Sequence, residues 1–262
     1  MWLRILTALM LGPAFIGLAL WLPNLWFAVF IAGIVLLGFV EWYRLSGASW
    51  TAGCIAAVMI LGLMIVSYQF QFLYLICALA TFFWVYAVYD LKAKGLSHHL
   101  NNASFLLSSV LVITGAWAAI VLLHQLTPWG PLWCIGFIVG IWAADSAAYF
   151  VGRAFGRHKL APAISPGKTI EGMIGGVFGS VLVGWFFCYF FTDFSAMQTI
   201  VWVFVLGCAA LISVAGDLYE SRLKRLAGAK DSGHLLPGHG GMLDRIDGLL
   251  AGAPVFVTLF LL

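Results

Sequence analysis

Charge is what this sequence has least of. Of its 262 residues only 9% are Asp, Glu, Lys or Arg, while 63% are hydrophobic types. An average soluble domain carries about 25% charged residues. So few charges cannot cover a globule in water, which excludes a soluble enzyme and a disordered chain. Cysteine is scarce too. Cys54, Cys77, Cys134, Cys188 and Cys208 all sit in apolar runs and form no C-x-x-C pair. That excludes a secreted disulfide scaffold and a zinc site. The net charge of +3 says little by itself, and no nucleic-acid partner is expected.

What the sequence has is apolar length. A membrane span needs about 20 apolar residues. Nine runs are candidates, the second of them short: Ile5–Leu22, Leu25–Val40, Thr51–Ser67, Phe72–Tyr89, Ala103–Leu123, Leu132–Val151, Met173–Phe191, Gln198–Gly216 and Met242–Leu262. The expected fold is an all-α, polytopic integral membrane helix bundle of about nine transmembrane helices, forming one domain over residues 1–262. The first run is read as a retained helix and not a cleaved signal, because further spans follow at once and no small-residue cleavage site is seen. Pro23-Asn24 signals a tight turn between the first two spans. The Gln69–Gln71 break is the weakest boundary. Twelve Trp and 21 Phe suit membrane interfaces.

The 13 basic residues all fall on one side of a nine-span chain. They are Arg4, Arg44, Lys92 and Lys94, then Arg153, Arg157, Lys159 and Lys168, then Arg222, Lys224, Arg225, Lys230 and Arg245. The positive-inside rule makes that side cytoplasmic. The N-terminus is then inside, the C-terminus outside, and the expected location is the cytoplasmic (inner) membrane.

Polarity is concentrated late in the chain. Residues 1–140 carry six charges, whereas residues 213–247 carry ten. Asp217 closes span 8, and Asp244 and Asp247 open span 9 at i, i+3 spacing, on one helix face. Only 15 residues follow Asp247, about 22 Å of helix. These carboxylates therefore lie at or below the membrane surface, where they need a partner or a cation. Clustered carboxylates suit Mg²⁺ holding a nucleotide phosphate. The alternative is helix-end salt bridging to Lys224 or Arg245. Asp145, deep in span 6, is a functional candidate on the same grounds, with a structural hydrogen bond as the plainer reading.

The segment from Ser165 through Lys168 to Glu171 contains Gly-Lys-Thr, but the first glycine of a phosphate loop would fall on Pro162. A Walker A loop is rejected. What remains is a Pro-Gly turn presenting Lys168 before span 7, either as a phosphate contact or as a snorkelling lysine. Gly172, Gly175, Gly176 and Gly179 permit close helix approach. The run Gly238–Gly241 lets backbone N–H groups close around an anion, with His239 contacting phosphate or shaping the loop. His98, His99, His124, His158 and His234 have no ligand spacing.

Residues Ser221 to Asp247 read SRLKRLAGAKDSGHLLPGHGGMLDRID. This segment resembles the signature of the phosphatidate cytidylyltransferase (CDP-diacylglycerol synthase) family: S-x-apolar-K-R, four residues, K-D, then P-x-H-G-G-x-x-D-R-x-D. No fixed position departs from it. A second family block, D-x-x-A-Y-F-x-G-R-x-x-G, stands at Asp145–Gly156 and runs on to Ser165-Pro-Gly-Lys168-Thr-Ile-Glu171. The resemblance covers about residues 145–172 and 217–248.

The resemblance implies conversion of CTP and phosphatidic acid into CDP-diacylglycerol and pyrophosphate by a helical membrane bundle, usually a homodimer. It implies a Mg²⁺ requirement on Asp217 and Asp244, with a monovalent cation such as K⁺ nearby. Lys168, Lys224, Arg225 and Arg245 are expected on phosphates. Asp145, Asp247 and His239 are expected to orient substrate or the metal's ligands, and Ser221, Lys230, Asp231, Gly240 and Gly241 belong to the same signature. The phosphate of phosphatidic acid, with a second pKa near 6, is its own nucleophile. Positioning and charge neutralisation then suffice for the reaction. The residues disfavour two rival readings. A CDP-alcohol phosphatidyltransferase needs acids after Asp247, and none follows. A cation-coupled transporter needs polar residues across several spans, but here they collect at one side.

Overall fold

The computed structural model describes residues 2–94, 102–233, 235 and 240–262. Nine helices fill them: α1 (Trp2–Trp21), α2 (Asn24–Ser46), α3 (Trp50–Gln69), α4 (Leu73–Lys94), α5 (Asn102–Gln125), α6 (Gly130–Phe155), α7 (Ile170–Phe191), α8 (Ala196–Leu226) and α9 (Leu243–Phe260). Among the described residues, α2 to α8 are long and apolar enough to cross a membrane. The protein is an all-α, polytopic integral membrane protein. Helix α9, at 18 residues, covers about 27 Å.

Local chemistry sets the helix starts. The Ser49 hydroxyl accepts from the Ala52 N–H and begins α3, and Thr169 does the same for Gly172 at α7. Ser195 and Gln198 form a reciprocal capping box at α8. The break between α3 and α4 falls at Phe70–Phe72, with Gln71 at φ 60°.

The helices differ from the expected spans chiefly at one end of the bundle. Helix α2 runs to Ser46 instead of Val40, α4 to Lys94 instead of Tyr89, and α8 to Leu226 instead of Gly216. Asp217 to Arg225 are therefore helical, not loop. A hydropathy window stops where charge begins, but an α-helix continues for as long as its backbone bonds and a packing face persist. Tyr219, Glu220, Arg222 and Leu223 on this extension are all buried.

The second correction lies between α6 and α7. Strands β1 (Lys159–Ala161) and β2 (Ser165–Thr169) form a short antiparallel hairpin. Pro166-Gly167 is part of β2, and the turn is at Pro162–Ile164, where the Ile164 N–H donates to the Ala161 carbonyl at 3.1 Å. The pairing of Lys159 with Thr169 overrides the turn preference of Pro-Gly, and the hairpin delivers Lys168 beside the start of α7.

Close packing follows the glycines. Residues Gly175, Gly176 and Gly179 of α7 face Val151, Ala148 and Ala147 of α6; a Cβ at Gly176 would sit 2.9 Å from the Ala144 carbonyl. Gly216 of α8 similarly admits α9, since a Cβ there would reach the Asp247 carbonyl at 2.5 Å.

One core contact repairs a helix defect. Pro254 lies inside α9 and has no N–H to offer the carbonyl four residues back, that of Leu250. The buried Trp84 of α4 supplies the missing donor, its Nε1 lying 2.9 Å from the Leu250 oxygen. Trp84 also packs edge-on to Tyr219, which stacks on Trp42. At the opposite end of the bundle, uncharged groups close the structure. Asn24 bonds the Val121 carbonyl and His124, and accepts from Tyr68 and Gln125.

Candidate active site

The helical extension of α8 arranges its polar residues by period. Asp217, Glu220, Ser221 and Lys224 stand at i, i+3, i+4 and i+7, along one face. Arg222 points elsewhere, into a fully buried ion pair with Asp90 of α4 at 2.6 Å. The close approach at Gly216 sets α9 against the first face and brings Asp247 alongside.

Carboxylate oxygens of Asp217, Glu220 and Asp247 all lie within 4.8 Å of one another. Two lysines reach this group. Lys168 from β2 contacts Asp217 at 2.6 Å. Lys224 sits between Glu220, at 2.6 Å, and Asp244, at 2.7 Å. Asp244 also accepts from the Gly241 N–H at 2.9 Å and the Ser232 N–H at 3.1 Å. Ser221 donates to Asp217 at 3.2 Å. Asp145 of α6 lies within electrostatic range of Asp217, Lys168 and Arg245. Asp145 and Arg245 are exposed.

Five carboxylates thus gather against three cationic side chains, Lys168, Lys224 and Arg245, among the described residues. The buried Glu220 carboxyl lies against both Lys224 and the Asp244 carboxylate. An excess of ionised carboxylate at this depth is costly without a cation. The donor set is all oxygen, and it fits a hard divalent ion such as Mg²⁺.

The structure brings together Asp145, Lys168, Asp217, Ser221, Lys224, Asp244, Arg245 and Asp247 of the residues expected from sequence. Asp244 sits in the Lys224 salt bridge that was its alternative reading, and it lies outside the converging trio. Arg225 is exposed and donates to the Ala229 carbonyl at 3.2 Å, so it closes the end of α8. Lys230 and Asp231 are exposed. Gly240, at φ 83°, makes the sharp turn before α9. The Gly241 N–H is engaged by Asp244 and not left open to a ligand. His239 lies outside the described residues, as do His98, His99 and His234.

Sequence reasoning missed Glu220. The signal was present as i+3 spacing from Asp217, but it was hidden by ending span 8 at Gly216. It also passed over Glu41 and Asp90, single acids at the ends of apolar runs whose partners lie far along the chain.

Comparison with known proteins covers the whole chain. A model of the cytidylyltransferase family matches residues 2–262. The chain is 37% identical to a phosphatidate cytidylyltransferase of Pseudomonas aeruginosa, covering 98% of this chain and 95% of that protein. It is 33% identical to the protein of that name from Haemophilus influenzae, over 97% and 96% of the two chains. Over 126 residues, 47% of each chain, it is 45% identical to the one from Thermotoga maritima.

Proposed function

The chain belongs to the cytidylyltransferase family, and from that premise we propose that it is a nucleotidyltransferase moving the cytidylyl group of CTP onto phosphatidic acid. The products are CDP-diacylglycerol and pyrophosphate, for phospholipid synthesis. The observation that carries this reading is the convergence of Asp217, Glu220 and Asp247 with Lys168 and Lys224 at the charged end of an apolar bundle. Such a site meets a nucleotide from water and a lipid headgroup from the bilayer.

Each group has a task that its position supports. Lys168, held on a strand beside the α7 N-terminus, offers a compact positive charge to incoming phosphate. Lys224, half-buried between two acids, keeps their charge balanced and presents its remaining donor capacity to a phosphate oxygen. Asp244 fixes Lys224. Ser221 holds one oxygen of Asp217, leaving that carboxylate oriented. Asp145 and Arg245 line the approach and sort the two polyanions. The attacking phosphate is already ionised near pH 7, so no side chain has to remove a proton. The acceleration asked of the protein is alignment and charge neutralisation.

Mg²⁺ is part of the proposal. Asp217 is its principal ligand, with Glu220 and Asp247 as the nearest further oxygen donors, and Asp244 joins only by releasing Lys224. When bound, the ion supplies charge withdrawal from the triphosphate. A monovalent cation such as K⁺ beside the same carboxylates is also part of the proposal. The remaining parts of the reading are a homodimer, an inner-membrane location, an inside N-terminus and an outside C-terminus.

The test is an assay of the detergent-purified chain with CTP, Mg²⁺ and phosphatidic acid. Pyrophosphate release together with CTP-derived label in lipid is expected. A folded preparation giving neither refutes the function.

A further inference from the structure

Outside the cluster, one buried carboxylate of the chain accepts three hydrogen bonds. Glu41 lies near the C-terminal end of α2 and is 4% exposed. Its Oε1 accepts from the Met242 N–H at 3.0 Å. Its Oε2 accepts from the Leu243 N–H at 2.8 Å and from the Ser232 hydroxyl at 2.7 Å. All three donors lie some 190 to 200 residues away in sequence.

The location of these donors gives the contact its meaning. The first N–H groups of a helix have no intrahelical acceptor. Met242, at the head of α9, provides no side-chain cap of its own. A carboxylate from another helix therefore caps α9, where the helix dipole favours negative charge. The surrounding backbone is cut to fit it. A Cβ added at Gly241 would overlap both Glu41 Oε2 and the Ser232 hydroxyl, and one at Gly233 would run into Glu41 Oε1.

Glu41 also interleaves with the site. Ser232 gives its hydroxyl to Glu41 and its N–H to Asp244. Of three successive N–H groups, that of Gly241 goes to Asp244 and those of Met242 and Leu243 go to Glu41. Asp244 then holds Lys224, which contacts Glu220.

We propose that Glu41 is a positioning residue for cytidylyl transfer. By gripping Ser232 and the head of α9 it sets the backbone that holds Asp244, and through Asp244 the lysine beside the carboxylate cluster. The proposal rests on the function stated above and adds to it a residue remote from the signature segment.

Glu41→Gln is the sharpest perturbation. It keeps size and shape, but an amide presents one oxygen and one NH₂. Whichever way it turns, the NH₂ faces a backbone N–H, of Met242 in one orientation and of Leu243 in the other. Gly241→Ala reaches the same contact from the opposite side, by displacing the carboxylate. Ser232→Ala removes one of the three bonds and is the mildest.

The experiment measures kcat, KM for CTP and melting temperature on full-length wild type, the three single variants and the Glu41→Gln/Gly241→Ala double variant. All are purified in one detergent and assayed by pyrophosphate release. Glu41→Gln and Gly241→Ala should each lower kcat per folded molecule roughly tenfold or more, the scale of one lost charge-assisted hydrogen bond. KM should stay within about twofold. The double variant should be no slower than the slower single, because both act through one contact. If Glu41→Gln does not fold, Ser232→Ala carries the test with a loss of about threefold to tenfold. A variant that melts earlier yet keeps wild-type kcat would show that Glu41 only caps a helix, and would overturn the proposal. Losses that multiply in the double variant would do the same. An active wild type with indifferent variants removes the role of Glu41 alone, whereas an inactive folded wild type removes the parent function and this inference together.

Discussion

Replacing Asp217 by Asn separates a metal ligand from a structural ion pair. The pair with Lys168 is partly exposed, with the two side chains 22% and 38% accessible. Ion pairs of that exposure are worth about 0–1 kcal/mol after screening. The Ser221 hydroxyl can still donate to the amide oxygen, so the fold should lose about 1 kcal/mol or less. The effect on a bound divalent ion is of another order. A unit charge at about 4 Å contributes on the order of 4 kcal/mol at an effective dielectric constant of 20. An Asn keeps an oxygen but not that charge. Activity should therefore fall at least about a hundredfold, with only partial recovery at high Mg²⁺. The direct readout is thermal unfolding in detergent with and without Mg²⁺, before CTP is added. Ligand linkage stabilises wild type by about 2.7 kcal/mol at a hundred times Kd, and the Asp217→Asn protein should show little of that shift. A variant that melts like wild type, responds to Mg²⁺ like wild type and turns over normally would refute the metal assignment.

Lys168→Ala should lower kcat/KM roughly ten- to a hundredfold, the value of a charge-assisted phosphate contact at about 1.5–3 kcal/mol; an unchanged value would leave Lys168 as a snorkelling residue. Trp84→Phe should destabilise by about 1–3 kcal/mol, because the Leu250 carbonyl loses the donor that replaces Pro254. Its kcat per folded molecule should not change, and equal melting temperatures would refute the repair. For topology, a C-terminal alkaline phosphatase fusion should be active and a green fluorescent protein fusion dark, and the reverse pattern would remove the inside N-terminus.

The reactive residues were legible where their spacing belongs to one helix or one motif. Asp244 and Asp247 share a face by local geometry alone, and the glycines of α7 announced a close neighbour without naming it. Asp217 was legible as an acid at the end of a span. The three residues after it were not, because hydropathy reports burial in lipid and is silent on helix that continues beyond it. The Pro-Gly turn was misplaced for a related reason. Local preference yields to a ladder of backbone bonds whose other strand lies several residues upstream.

By itself, the sequence determined the class of the molecule. A chain with so little charge and so much apolar length has only the bilayer to fold in, where a backbone closes its hydrogen bonds as helices or as a closed barrel, and apolar runs of about 20 residues select helices. The signature residues determined its chemistry, since a run of fixed acids, bases and glycines carries its meaning without coordinates. Tertiary structure alone decided which charges meet. The pairing of Arg222 with Asp90, that of Lys224 with Asp244, and the grip of Glu41 on α9 all join residues on different helices. Ion pairs and hydrogen bonds act over a few ångströms in space and are indifferent to separation along the chain, so only the packed bundle could reveal them.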